Sequence, residues 1–297
     1  MTAPTTPPLH LLIVEGNHEG LVSRSADGGP YGAAERYAET LAAIAPNLMV
    51  QITRPHFAAD PAPAPDWAAL DGVVFTGAGV SWAADMDNAR PAQKLMEQAF
   101  SCGLPVFGSC YGMQLGVAVL GGALYANPAG VELAVARQIT LTDEGRGHWL
   151  YRSKPDVFDA LCMHRDDVKT LPHSLNCLAS NAHCAVQAVA SRTQASEQFS
   201  GVQYHPELRF SDIAGFLRRA DVQGFHYADR FSGRGPGFTA DLPQMIADFL
   251  ALESEPAAQK LQEKYQIGPD IMDRQIHETE LANWLSDLTA RTPSTST

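Results

Sequence analysis

The sequence predicts an α/β fold on a largely parallel central sheet, followed by a helical extension. Three observations predict it. From residue 11 to residue 119, short apolar runs of buried-strand length alternate with stretches of helical period. The run at 104–107 passes directly into a helical pattern through Gly108, Ser109, Cys110, Tyr111 and Gly112. Beyond Leu208 the strand-like runs stop, and Ile276, Leu281, Trp284, Leu285 and Leu288 draw an apolar stripe along one helix.

In order, 11–14, 48–53, 73–75 and 104–107 read as strands. Residues 32–44 form an alanine-rich helix, and 90–102 a second with Leu95, Met96 and Phe100 facing inward. Residues 15–31 are polar and glycine-rich, a loop long enough to be a functional lip. Residues 58–65 alternate Ala and Pro and read as a surface connection. The middle changes to strand period, at 122–125, 131–141, 157–163, 177–180, 185–189 and 199–204. A turn at 143–148 carries Gly145 and Gly147. Helices are expected at 212–219, at 242–252 with Pro243 near its start, at 257–265 and on the final stripe. The glycine-rich segment 232–237 is a link. It has no Gly-Lys-Ser/Thr ending and so is no phosphate loop. The organisation expected is a tail at 1–9, a catalytic domain at 10–210, and a helical extension at 211–297 packed on that domain or on a partner, a second copy included.

Composition narrows the function. Hydrophobic residues make up 45% of the chain, enough for a sizeable core, and the formal charge of −12 argues against nucleic acid or an anionic membrane as partner. No run of eighteen apolar residues offers a membrane span. The first eight residues are Thr/Pro-rich, without the order of a signal peptide. Five cysteines, an odd count, suggest free thiols in a cytoplasmic protein.

The chemistry begins at Cys110. A strand that turns straight into a helix, with glycines around one nucleophilic side chain, is a nucleophile elbow with cysteine in place of serine. The helix aims unpaired N–H groups and its positive end at the sulfur, which favours thiolate. Taken alone, the pattern also suits a buried structural cysteine. A second stretch, Val202, Gln203, Tyr204, His205, Pro206 and Glu207, changes the balance. Pro206 ends the strand because it has no N–H. His205 can take the thiol proton, and Glu207 can orient the imidazole.

The two motifs together, in this order and about ninety residues apart, resemble the class I (triad) glutamine amidotransferase domain over roughly residues 11–208. The similarity is nearest in flavour to the amidotransferase domain of GMP synthetase. The resemblance implies a flavodoxin-like sandwich without a cofactor, with Cys110 as nucleophile, His205 as base and Glu207 as its orienter. It implies an oxyanion hole from the N–H groups of Tyr111 and Ala78. Ala78 lies in Gly77-Ala78-Gly79, where the family carries a Gly-Gly-Pro-like turn, and Ser81 takes the family's serine position. It further implies that Gly77, Gly79, Gln114 and His164 hold the glutamyl group. His164 opens a segment similar to the family's His-Gly-Asp, with Arg165 where glycine is common. His183 and Cys184 near Cys177 show no four-ligand spacing, so no metal is expected.

The expected reaction is thiol-dependent hydrolysis of a γ-glutamyl amide through a γ-glutamyl thioester. Glutamine as substrate would supply ammonia to a separate ATP-dependent synthetase or ligase. The alternative is a stand-alone hydrolase of N-substituted γ-glutamyl amides in amine catabolism. A non-catalytic binding protein is the remote third reading. The candidates to line a space for a larger amine are residues 15–31, the turn at 80–82 and the C-terminal tail.

Overall fold

The computed structural model describes residues 8–26, 32–57, 64–80, 82–192, 198–222 and 241–291. The first half of the chain runs β1 (Leu9–Val14), α1 (Glu19–Ala26), α2 (Ala33–Ile44), β2 (Leu48–Thr53), β3 (Gly72–Phe75), α3 (Arg90–Ser101), β4 (Val106–Ser109) and α4 (Tyr111–Val119). Next come β5 (Ala123–Ala126), β6 (Glu132–Leu141), α5 (Asp143–Gly147), β7 (Val157–His164), β8 (Asp166–Thr170), β9 (Leu175–Ser180), β10 (Ala188–Ser191) and β11 (Phe199–Val202). The chain closes with α6 (Phe210–Val222), α7 (Leu242–Ala251), α8 (Glu255–Tyr265), α9 (Pro269–Met272), α10 (Arg274–His277) and α11 (Thr279–Arg291).

Nine strands form one sheet in the order β2-β1-β3-β4-β11-β10-β9-β6-β7, with β5 and β8 as a separate ribbon. The strands from β2 to β11 in that order are parallel, and the remaining pairs antiparallel. β3 and β4 are buried along their whole length, as a parallel sheet covered on both faces requires. The period-2 alternation of β1 shows the two layers: Leu11 and Ile13 enter one core, Leu12 and Val14 the other. On the first face lie Tyr37 and Leu41 of α2 with Leu281, Trp284, Leu285 and Leu288 of α11. On the second lie Met96 of α3 and Met113, Leu115 and Val117 of α4. A third core packs α6 to α9 against Leu133 and Val135 of β6 and Leu161 of β7.

Several sequence expectations are revised. The segment 15–31 is not wholly a loop, since it holds α1. The break at 143–148 is the short helix α5, capped by the Thr142 side chain, which accepts from the Gly145 N–H. β8 is an added strand, paired with β5. The expected last helix is two, α10 and α11, parted at Glu278. In α3, Ala92, Met96 and Ala99 form the buried face, while Leu95 and Phe100 are half-buried. Leu9 already belongs to β1, so the expected tail is shorter than residues 1–9. Residues 1–7, most of the 58–65 connection, Ser81 and the 232–237 link lie outside the described residues. No helix among the described residues is long and apolar enough to cross a membrane.

The C-terminal helices reach the segment that follows β11. Glu280 Oε1 accepts from the Tyr204 hydroxyl at 2.6 Å, and Glu280 Oε2 pairs with Lys154 Nζ at 3.0 Å. The Tyr151 and Tyr204 hydroxyls meet at 2.8 Å. Burial, aided by the Lys154 cation, pushes His277 down to about 3. The neutral ring donates from Nε2 to the Leu208 carbonyl at 3.1 Å. Glu280→Ala should therefore destabilise the protein by about 3–5 kcal/mol, the usual cost of leaving a buried charge without its partner. Chemical denaturation measures it, and a change below about 0.5 kcal/mol would mean that the network is dispensable.

Candidate active site

β4 ends at Ser109, α4 begins at Tyr111, and Cys110 makes the turn between them with φ 50° and ψ −108°. This left-handed backbone is costly for a residue with a side chain and persists only where its surroundings enforce it. The glycines on either side are required by contact. A Cβ on Gly112 would lie 2.1 Å from the Phe75 carbonyl oxygen, and one on Gly108 would lie 2.5 Å from the Gly112 carbonyl carbon. The Cys110 N–H donates to the Val202 carbonyl at 2.8 Å, which ties the elbow to the end of β11.

That tie delivers the second motif. β11 runs parallel to β4 with Val202 opposite Ser109, so the chain leaving β11 passes beside the elbow. The His205 N–H is held by the Leu161 carbonyl at 2.8 Å. His205 Nδ1 meets Glu207 Oε1 at 2.6 Å, and the Cys110 sulfur lies close enough to the same ring to act on its charge. Cys110 Sγ also lies 3.6 Å from the Met163 carbonyl. The three side chains are shielded from solvent, with 5% of Cys110, 5% of His205 and 2% of Glu207 exposed. Burial by itself would lower the His205 pKa. The Glu207 carboxylate and the Cys110 sulfur outweigh it and raise the group to about 10. His205 is therefore a strong base, able to hold a thiol proton as imidazolium.

Glu207 is itself held. Its Oε1 accepts from Ser109 Oγ at 3.2 Å, and Ser109 Oγ accepts from the Tyr37 hydroxyl at 2.6 Å. Thr40 Oγ1 donates to the Glu207 carbonyl at 3.1 Å. Burial and the Glu207 charge push the Tyr37 hydroxyl well up, so it stays a donor. Sequence reasoning missed Tyr37, Thr40 and the role of Ser109. Ser109 sat inside the elbow motif, but nothing in the pattern of α2 marks Tyr37 as more than a core residue.

The turn after β3 lies against the imidazole. A Cβ on Gly77 would come within 2.5 Å of His205 Cε1. The Gly79 N–H donates to Asn17 Oδ1 at 2.8 Å. Asn17 Nδ2 in turn donates to Glu15 Oε1 at 2.7 Å, and Glu15 Oε2 accepts from the Ala34 N–H at 2.8 Å. The loop after β1 thus braces the turn, a role of Glu15 and Asn17 that the sequence did not disclose. The backbone N–H groups of Ala78 and Tyr111 have no hydrogen-bond partner among the described residues.

The side chains of two expected binding residues have partners within the protein. Gln114 Nε2 donates to the Asp166 carbonyl at 2.6 Å and to Gln203 Oε1 at 3.2 Å. The His164 ring is clamped between Glu132 Oε2 at 2.7 Å and Asp167 Oδ1 at 2.9 Å. Burial opposes its charge, but the two carboxylates raise it to about 10. His164, Asp167 and Cys184 do place their ligand atoms within 4.8 Å of one another. His164 Nε2 is already bonded to Glu132, while Nδ1 faces Asp167 Oδ1 without an aligned hydrogen bond. Burial also pushes the Cys184 thiol far up.

Similarity to known proteins agrees with this geometry. The family model for Glutamine amidotransferase class-I matches residues 48–216. A γ-glutamyl-L-1-hydroxyisopropylamide hydrolase from a Pseudomonas species is 35% identical over 219 residues, covering 71% of this chain and 72% of that protein. The glutamine-hydrolysing GMP synthase of Thiobacillus denitrificans is 31% identical over 173 residues, covering 55% of this chain and 28% of the synthase. Among solved structures, a glutamine amidotransferase of Thermotoga maritima superimposes with a TM-score of 0.60 at 13% identity, over 95% of this chain and 98% of that one. A glutamine amido transferase of Methylobacillus flagellatus gives 0.59 at 18%, over 95% of each chain. These structural likenesses bear on the fold alone. The sequence matches go further, and by them the chain belongs to the class-I glutamine amidotransferase family.

Proposed function

We propose that the chain hydrolyses a γ-glutamyl amide through a γ-glutamyl thioester on Cys110. The observation that carries the reading is the elbow cysteine beside an imidazole clamped to Glu207 at 2.6 Å. His205 takes the thiol proton, and Cys110 Sγ attacks the γ-carbonyl carbon. The C–N bond breaks, and His205 gives its proton to the departing amine. Water then adds to the thioester with His205 as base, the C–S bond breaks, and glutamate leaves. The free N–H groups of Ala78 and Tyr111 receive the developing oxyanion, each such donor contributing about 3 kcal/mol in the transition state. Gly77 and Gly79 shape the space beside the imidazole. Gln114 and His164 act indirectly, holding the backbone from Met163 to Asp167 next to the sulfur.

Glutamine is the simplest substrate, its ammonia passing to a separate synthetase. One observation favours a second reading, in which the amide nitrogen carries a substituent. The Pseudomonas amide hydrolase aligns over most of both chains, whereas only 28% of the GMP synthase is covered. The five cysteines are unpaired, which suits a reducing, cytoplasmic setting. Glutamate release by the isolated chain, measured on glutamine and on γ-glutamyl alkylamides, is the test. Release from either class supports the reaction proposed, and release from neither contradicts it.

A further inference from the structure

Four ring side chains stand at the carboxyl ends of four neighbouring parallel strands. His18 follows β1, His56 follows β2, Trp82 follows β3 and Tyr111 follows β4, and these strands are adjacent in the order β2-β1-β3-β4. Open α/β sheets bind their ligands at that edge. The His18 ring stacks on the Trp82 indole with centroids 5.8 Å apart and planes inclined by 29°. The His56 ring meets the same indole edge-on at 5.9 Å and 65°. The Tyr111 hydroxyl lies near that indole without an aligned hydrogen bond to it, and Tyr111 is the residue after Cys110. The cluster therefore runs from the surface loops to the residue that follows the nucleophile.

Its polar atoms are unspent. Trp82 Nε1, the Tyr111 hydroxyl and His56 Nε2 are all buried, and none has a hydrogen-bond partner among the described residues. Buried polar groups are almost always paired, and three orphans in one ring cluster mark a place where something else supplies partners. Burial, with His18 beside it, holds His56 below its ordinary value, which favours its neutral ring. An aromatic wall suits a flat group. It offers nothing to a departing ammonia, and it carries no carboxylate of its own for a cationic amine.

We propose that His18, His56, Trp82 and the Tyr111 hydroxyl form the pocket for the amine half of the substrate, and that they select γ-glutamyl arylamides over glutamine. The selection rests on the γ-glutamyl amide reading above. The arylamine ring lies against Trp82, and its polar substituents meet the unspent donors. The bond broken is the same γ-carbonyl C–N bond, and the arylamine leaves with the proton that His205 carries.

The test compares kcat/KM of the full chain on γ-glutamylanilide, γ-glutamyl-n-propylamide and glutamine, in the wild type and in Trp82→Ala, Trp82→Phe and His18→Ala. The ratio of anilide to propylamide cancels any general loss of activity or folding. It should fall about tenfold in Trp82→Ala, fall less in His18→Ala, and largely survive in Trp82→Phe. An unchanged ratio in both alanine variants overturns the pocket. A wild type that cleaves glutamine but not the anilide overturns the arylamide assignment and leaves the general reading standing. A wild type that cleaves none of the three overturns both.

Discussion

Cys110→Ala should abolish amide hydrolysis, with kcat lower by on the order of 10⁵-fold, because removing a nucleophile leaves only binding and the oxyanion donors. The loss belongs to chemistry and not to folding. Cys110 owes its conformation to Gly108, Gly112 and the bond from its own N–H to Val202, all of which survive the substitution. Thermal unfolding should therefore stay within a few degrees of the wild type while glutamate release disappears. Retained turnover would remove Cys110 from the mechanism.

Gly77→Ala should cost about 10²-fold in kcat without replacing any group that reacts. The added Cβ would sit 2.5 Å from His205 Cε1, so the imidazole must move, and displacements of about 1 Å in a catalytic group carry losses of that size. Gly77 does not occupy the left-handed region, so its backbone accepts alanine and the effect isolates the ring contact. Steady-state kinetics on any cleaved γ-glutamyl amide measure it. A kcat within twofold of the wild type would mean that the ring has room to give.

What the sequence disclosed was local, and what it hid was assembled from distant parts. The elbow and the His-Pro-Glu segment were legible because each packs its chemistry into a few consecutive residues. The parallel strands were legible as apolar runs. β8 was not, because Asp166, Asp167 and Lys169 read as a polar turn. Its Asp167 is tolerated inside only because His164 and Asn127 meet it there. α5 was masked by two glycines, and its cap shows only in three dimensions. His164 matched a family motif, but its partner Glu132 lies 32 residues earlier, so the contact that holds its ring could not be read. The ring cluster is the extreme case. His18, His56 and Trp82 belong to three separate loops that only the strand order brings together.

The central claim is that one thiol of five is the nucleophile, and covalent labelling tests it most directly. An electrophilic glutamine analogue is added in slight excess, and the modified cysteine is located by peptide mass spectrometry. Accessibility alone would favour Cys102, which is exposed, over buried Cys110. Burial pushes the thiols of Cys162, Cys177 and Cys184 up and makes them poor nucleophiles. The account predicts a single adduct on Cys110, lost in His205→Ala. An adduct on Cys102 or on any of the other three, with Cys110 unmodified, would contradict it.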